Sequence, residues 1–182
     1  MKRYSIALIG IMLVGITVGC TKDEDAPVQV GSTTGTSGTQ TPPSTGSTTA
    51  TTSKETLLQL VNAARTSGCN CGSTYMPPVK ALVWNSTLEQ AALAHSKDMN
   101  QKGYFSHTGS DGSSAGDRIT RLGYVWLAWG ENIAMGYTSE KAVVDAWLAS
   151  EGHCKNIMSS MFTEMGVARD GAYWTQEFGK PR

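Results

Sequence analysis

The chain has 182 residues, with 15 basic and 15 acidic side chains and 40% hydrophobic residues. That length is one domain plus an extension, not two full domains. The balanced charge excludes the electrostatic footprint of a nucleic-acid binder and a polybasic membrane patch.

Residues 1–19 read as a secretory signal peptide. Lys2 and Arg3 precede an apolar stretch from Ile6 to Val18, too short to span a bilayer and ending in Gly19-Cys20. Thr17-Val18-Gly19-Cys20 resembles a lipobox, in which small residues precede a Cys that is diacylated and becomes the new amino terminus. Thr17 stands where that pattern prefers Leu. Acyl chains on Cys20 would hold the protein at a membrane while the rest stays in water. Thr21-Lys22-Asp23-Glu24-Asp25 is similar to the export signal of surface lipoproteins in some Gram-negative bacteria. The expected location is therefore an outer-membrane or cell-surface lipoprotein, with a secreted soluble protein as the alternative.

Residues 20–53 read as a lipidated Cys followed by a tether. Ala26 to Ser53 carries no charge, and from Gly31 onward nearly every residue is Ser, Thr or Gly. Such a segment buries too little apolar surface to offset its ordering entropy. Its length gives an r.m.s. reach of roughly 30 Å.

Residues 54–182 form the domain. Ser53 is placed to cap a helix with Leu57, Leu58, Val61 and Ala64 at helical spacing, stopped by Ser67-Gly68. Ser86 and Glu89 have the spacing of a capping box for a second helix through Leu88, Ala92, His95 and Met99, ending at Gly103. A shorter helix is predicted over Ala115–Leu122, stopped by Gly123. Another starts at Thr138 or Ser139, turns Val143, Val144, Trp147 and Leu148 inward, and ends near Gly152. Asn132–Met135 reads as a short strand. Asp170-Gly171 between Met165–Arg169 and Ala172–Gln176 predicts a hairpin whose two turn residues take positive φ. Helices first and a hairpin last argue an α+β fold with an antiparallel sheet.

Three histidines are available. His107 precedes a Gly/Ser-rich loop and His153 sits near a helix end, both places where functional residues concentrate. His95 lies on the apolar side of its helix and reads as a structural core residue. Glu131, between Trp129-Gly130 and Asn132-Ile133-Ala134, is costly to bury unless paired. Two imidazoles and a carboxylate are also a donor set for a divalent metal, zinc first. No His-Glu-x-x-His motif and no Gly-x-Ser-x-Gly elbow occurs, and Ser106 beside His107 does not make a nucleophile–base pair. With Cys20 lipidated, Cys69, Cys71 and Cys154 remain, an odd number in an oxidising compartment. One bridge from the Cys69/Cys71 pair to Cys154 is expected, with a three-cysteine metal site as the alternative.

Four blocks then occur in order: Tyr104-Phe105-Ser106-His107, Gly130-Glu131-Asn132-Ile133-Ala134, Trp147 through Met158, and Glu164-Met165-Gly166-Val167-Ala168. Val61-Asn62-Ala63-Ala64-Arg65 and Leu82-Val83-Trp84-Asn85 fit with them. Together they resemble the bacterial branch of the CAP superfamily of cysteine-rich secretory, antigen-five and pathogenesis-related proteins, over essentially all of 54–182.

The resemblance implies a three-layer α-β-α sandwich around a central antiparallel sheet. It implies a cleft of two His and two acidic residues: His107, Glu131 and His153, with Glu151 slightly favoured as the fourth and Glu164 its neighbour. It also implies a Cys71–Cys154 disulfide. The implied function is a cell-surface binding module for a lipid, glycan or protein, with His107, His153 and Glu131 holding a divalent metal such as zinc. The alternative is a zinc-dependent, peptidase-like hydrolase in the same cleft, with Glu131 as ligand or general base. A third reading makes the His/Glu set a hydrogen-bonded structural core.

Overall fold

The computed structural model describes residues 53–182. The segments read above as a signal peptide, a lipidated Cys20 and a tether, as far as residue 52, lie outside the described residues.

Helix α1 spans Lys54–Ser67 and is capped as its sequence predicts: the Ser53 hydroxyl accepts from the Thr56 amide at 3.3 Å. Leu57, Val61 and Ala64 form its inward stripe, and Gly68 closes it at φ 74°. Two short antiparallel strands follow, β1 (Cys69–Cys71) and β2 (Thr74–Met76), then the two-residue β3 (Val83–Trp84).

Helix α2 spans Ser86–Lys102. Its cap is Asn85, not the expected Ser86–Glu89 box: Asn85 Oδ1 accepts from the amides of Thr87 at 2.8 Å and Leu88 at 3.1 Å. Glu89 instead accepts from Trp84 Nε1 at 2.9 Å. A reciprocal capping box does form one helix later, between Ser114 and Asp117 at the start of α3 (Ala115–Arg121).

Strand β4 runs Trp126–Met135, well beyond the expected 132–135. Gly130 and Glu131 break the apolar alternation that would have announced its first half. The next expected helix is two helices, α4 (Glu140–Ala149) and α5 (Glu151–Ile157), divided at Ser150, which has extended dihedrals. His153 therefore lies inside a helix. The hairpin is β5 (Glu164–Asp170) and β6 (Tyr173–Pro181). Its turn residues are Gly171-Ala172, one place later than expected, because Asp170 still pairs with Tyr173. Gly171 takes positive φ, at 57°.

The main sheet has the order β3-β5-β6-β4. It is antiparallel except where β3 pairs parallel with β5 at the edge, so the sheet is mixed rather than purely antiparallel. Helix α2 covers one face over β5 and β6. That approach requires Gly166, where an added Cβ would lie 2.1 Å from the Glu89 amide nitrogen. The opposite face packs Met165, Val167, Trp174 and Phe178 against Leu57 and Val61 of α1, Val143 and Trp147 of α4 and Ile157 of α5. The result is the expected α+β fold of helices layered on both sides of a sheet.

Arg65 ties the second face together. It is fully buried and donates to four backbone carbonyls: Lys80 at 2.8 Å, Ile157 at 2.6 Å, Ser159 at 2.9 Å and Phe162 at 3.3 Å.

Candidate functional site

β4 is an edge strand of the sheet. Successive residues of a strand point to opposite faces, so Glu131 points toward α2 and α3 while Asn132 points toward α5. The edge thereby collects His107 from one side and the helix bearing His153 from the other.

His107 follows α2 in a loop whose backbone is pinned from several sides. Asp98 of α2 accepts from the Tyr104 hydroxyl and from Ser110, through its amide at 2.8 Å and its hydroxyl at 2.6 Å. The buried His95 donates Nε2–H to the Ser106 carbonyl at 2.9 Å. Arg118 of α3 donates Nη1 to the His107 carbonyl at 3.2 Å and to the Ser113 carbonyl at 3.0 Å. The His107 side chain itself is 58% exposed and directs Nδ1–H to Glu131 Oε1 at 2.7 Å. A carboxylate on Nδ1 fixes the tautomer and leaves Nε2 as the lone-pair nitrogen.

Glu131 is only 6% exposed. Its second oxygen accepts from Arg118 Nη2, and His95 Nε2 stands 3.8 Å from the same oxygen. Burial pushes this carboxyl up, but the His107 hydrogen bond and the Arg118 charge more than offset it, so Glu131 stays below the ordinary carboxylate range. It is a paired anion with both oxygens engaged.

His153 is placed by its backbone. Asn132 Nδ2 donates to the His153 carbonyl at 3.2 Å, and Asn156 Nδ2 donates to the Glu131 carbonyl at 3.2 Å and to Asn132 Oδ1 at 2.9 Å. These bonds clamp α5 onto β4 at Glu131-Asn132. Burial and the nearby charge of His107 lower the His153 pKa, which favours its neutral ring.

The two other carboxylates proposed from sequence sit elsewhere. Glu151 pairs with Lys155 and packs over the β1–β2 turn at Gly72. Glu164 accepts from Tyr124 at 2.6 Å and from Asn85 at 3.0 Å. Neither hydrogen-bonds to His107, His153 or Glu131. The second acid beside Glu131 is Glu177 of β6, its direct cross-strand partner. Glu177 has no exposed surface, and Arg118 Nη2 lies 3.8 Å from its Oε1. Burial and the Glu131 charge raise its pKa well above the usual range, which favours the neutral form.

Sequence reasoning thus missed Arg118 and Glu177 and assigned His95 to the core without its contacts. Arg118 left one signal, a base beside Ile119 on the inward side of a short helix. Glu177 left another, an acid inside the run Trp174–Phe178.

Among the described residues, the one group of three His, Cys, Asp or Glu gathered tightly enough for a metal ion is Cys69, Cys71 and Cys154. His107, His153 and Glu131 do not form such a cluster: His107 Nδ1 and Glu131 Oε1 are 2.7 Å apart, so it is the His153 ring that stays out of reach of the pair. Glu131, bonded to His107 Nδ1 and to Arg118, fits the role of orienting His107 rather than that of a ligand. The expected bridge is present, Cys71–Cys154, with Cα atoms 5.4 Å apart.

A mostly antiparallel sheet flanked by helices on both faces is the fold of an SCP-like domain. The profile of the cysteine-rich secretory protein family, CAP, matches residues 58–178, and the chain belongs to that family. It is 41% identical over 102 residues to the uncharacterized protein YkwD of Bacillus subtilis, covering 55% of this chain and 40% of the relative. It is 35% identical over 129 residues to the uncharacterized membrane protein YlbC of the same organism, covering 71% and 35%. The match thus spans well under half the length of either curated relative. A crystal structure of an SCP-domain extracellular protein from Bacillus anthracis superposes with TM-score 0.61 and 31% identity, covering 69% of this chain and 39% of that one. An outer surface protein from Borrelia burgdorferi shares the fold, with TM-score 0.53 and 23% identity over 57% of this chain and 80% of that one.

Proposed function

We propose that this CAP domain is an exported, cell-surface binding module, tethered to a membrane through lipid on Cys20, whose cleft at His107 and His153 recognises a ligand. Candidate ligands are a lipid, a glycan or a protein, and a divalent metal held by the two imidazoles is part of the reading. The extracellular and outer-surface descriptions of the structural neighbours support export. No helix among the described residues is long and apolar enough to cross a membrane.

The observation that carries binding over hydrolysis is the state of Glu131. A general base for a metal-bound water needs a free carboxylate oxygen within reach of that water. Both oxygens of Glu131 are occupied, by His107 and Arg118, and its side chain is buried. Among the described residues, no other carboxylate hydrogen-bonds to His107 or His153. What remains is an exposed imidazole in a fixed orientation, which suits recognition.

The test is calorimetric titration of zinc into the tag-free chain, alongside a broad peptide panel. The reading expects zinc binding that His107→Ala abolishes, and no turnover of any peptide with the metal present. Zinc-dependent cleavage lost with His107→Ala would replace it with the hydrolase. Unchanged zinc binding in both His107→Ala and His153→Ala would remove the metal from the proposal.

A further inference from the structure

Cys69 and Cys71 are alternate residues of β1, so both side chains leave the same face of the strand. Both are buried while Asn70 between them is exposed. Cys154 of α5 faces that strand and is bonded to Cys71. Its Sγ also lies 3.8 Å from Cys69 Sγ. All three sulfurs fall within 4.8 Å of one another. A thiolate exchanges with a disulfide by attacking one sulfur and expelling the other. Here the attacking and leaving sulfurs are two residues apart on one strand, with the attacked sulfur beside both.

We propose that Cys69, Cys71 and Cys154 form an internal thiol–disulfide exchange site, in which the bridge on Cys154 passes between Cys71 and Cys69. The Cys69 thiol gives its proton to solvent base, and the resulting thiolate attacks Cys154 Sγ. The Cys69–Cys154 bond forms as the Cys71–Cys154 bond breaks. The bonding pair leaves on Cys71 Sγ, which takes up a proton. One thiol and one disulfide stand on each side of the reaction, so no oxidant or reductant is consumed. Burial of all three sulfurs shields them from outside thiols, and because the thiolate is the attacking species the exchange is slow at neutral pH and faster in mild alkali.

The exchange is coupled to the cleft by position. Cys154 directly follows His153, and α5 is clamped to β4 through Asn132 and Asn156. Cys69 and Cys71 are separated by about 7 Å along the strand. Moving the bridge between them draws the first turn of α5 along β1 and shifts His153 relative to His107. The chemistry stands independently of whether the cleft binds metal.

The experiment uses the full chain carrying Cys20→Ser, which leaves these as its only cysteines. The protein is held near pH 9 without added thiol, an alkalinity chosen to populate the thiolate. It is then blocked with N-ethylmaleimide in denaturant near pH 6, where little thiolate remains to exchange. Tandem mass spectrometry of the non-reduced peptides separates the sites by fragments cleaved at Asn70. The proposal expects part of the label on Cys71, with Cys69 in the bridge. Label confined to Cys69, or found on Cys154, would overturn it.

Two variants add an independent reading. Cys71→Ser is expected to oxidise to a Cys69–Cys154 bridge, whereas Cys69→Ser keeps Cys71–Cys154. Label on both Cys69 and Cys154 in folded Cys71→Ser would defeat the proposal; if that variant does not fold, the labelling of the parent chain decides. Identical His153 ring resonances in the two bridged variants would overturn the coupling to the cleft.

Discussion

Glu131 and Glu177 stand directly opposite each other across the β4–β6 ladder, on the face that α2 covers. Two carboxyls so placed do not both ionise without a large repulsion. Arg118 resolves the conflict unequally: it donates Nη2 to Glu131 and holds the same nitrogen 3.8 Å from Glu177. Glu131, which also receives His107, carries the charge. Burial and the Glu131 charge favour the protonated form of Glu177. The histidine at the surface is thus oriented by a pair of acids and one base beneath it.

The neutral state of Glu177 sets a pH dependence of stability. Its folded pKa is raised, so the folded state binds the proton more tightly than the unfolded chain does. The favourable contribution is complete below the ordinary value of 4.5 and is lost as pH rises toward the folded pKa. The loss has a limiting slope of about 1.4 kcal/mol per pH unit. Glu177→Gln removes the titration, so the variant should gain stability relative to the parent as pH rises above this value. Urea denaturation at stepped pH checks it; parallel stability curves for the two proteins would contradict it.

Glu131 runs the other way. Its folded pKa is lowered, so its contribution is present above the unfolded value and fades as pH falls through the folded one. Arg118→Ala leaves this anion buried without its cation, a change that typically costs about 3–5 kcal/mol. The measurement is the loss in unfolding free energy at neutral pH, and a loss below about 1 kcal/mol would mean that water replaces the guanidinium.

Metal affinity should depend on Glu131 although Glu131 is not assigned as a ligand. Replacing a carboxylate that orients a metal-binding His lowers affinity by about 10- to 100-fold. Glu131→Gln is expected to weaken zinc binding within that range while His107→Ala abolishes it. Equal loss in the two variants, by calorimetry, would instead make Glu131 a direct ligand.

Zinc binding should also weaken between about pH 7 and 5, because only the neutral ring binds metal and an unperturbed imidazole titrates near 6.5. The lowered pKa of His153 places its share of that loss toward the acid end. Equal affinity at both ends would reject imidazole ligation.

Gly166→Ala tests the packing of α2. The added methyl meets helix backbone at 2.1 Å, which cannot yield as a flexible side chain would. Overpacking of this kind typically costs about 1–3 kcal/mol and occasionally more. The variant should melt earlier than the parent, and an unchanged melting temperature would show that α2 is free to lift from β5.

The amino-acid sequence by itself determined what depends on neighbours along the chain. The Ser53 cap, the Gly68 and Gly103 stops and the β5–β6 hairpin are local matters of hydrogen bonding and backbone freedom, and they are read from a few adjacent residues. The family blocks added His107, Glu131, His153 and the Cys71–Cys154 bridge. Even local rules were misread where two residues compete for one role: Asn85 lies one position before Ser86 and took the cap, because its side chain reaches two amides at once.

Tertiary structure alone decided who meets Glu131. Register between β4 and β6 sets Glu177 opposite it, although 45 residues lie between them, counting 132 through 176. Arg118 reaches it from α3, and His95 from a helix on the same face. None of these contacts follows from spacing, because each depends on the angle and height at which a helix lands on the sheet. That placement is fixed by the apolar packing and by single contacts such as Gly166 under α2, which sum over the whole domain.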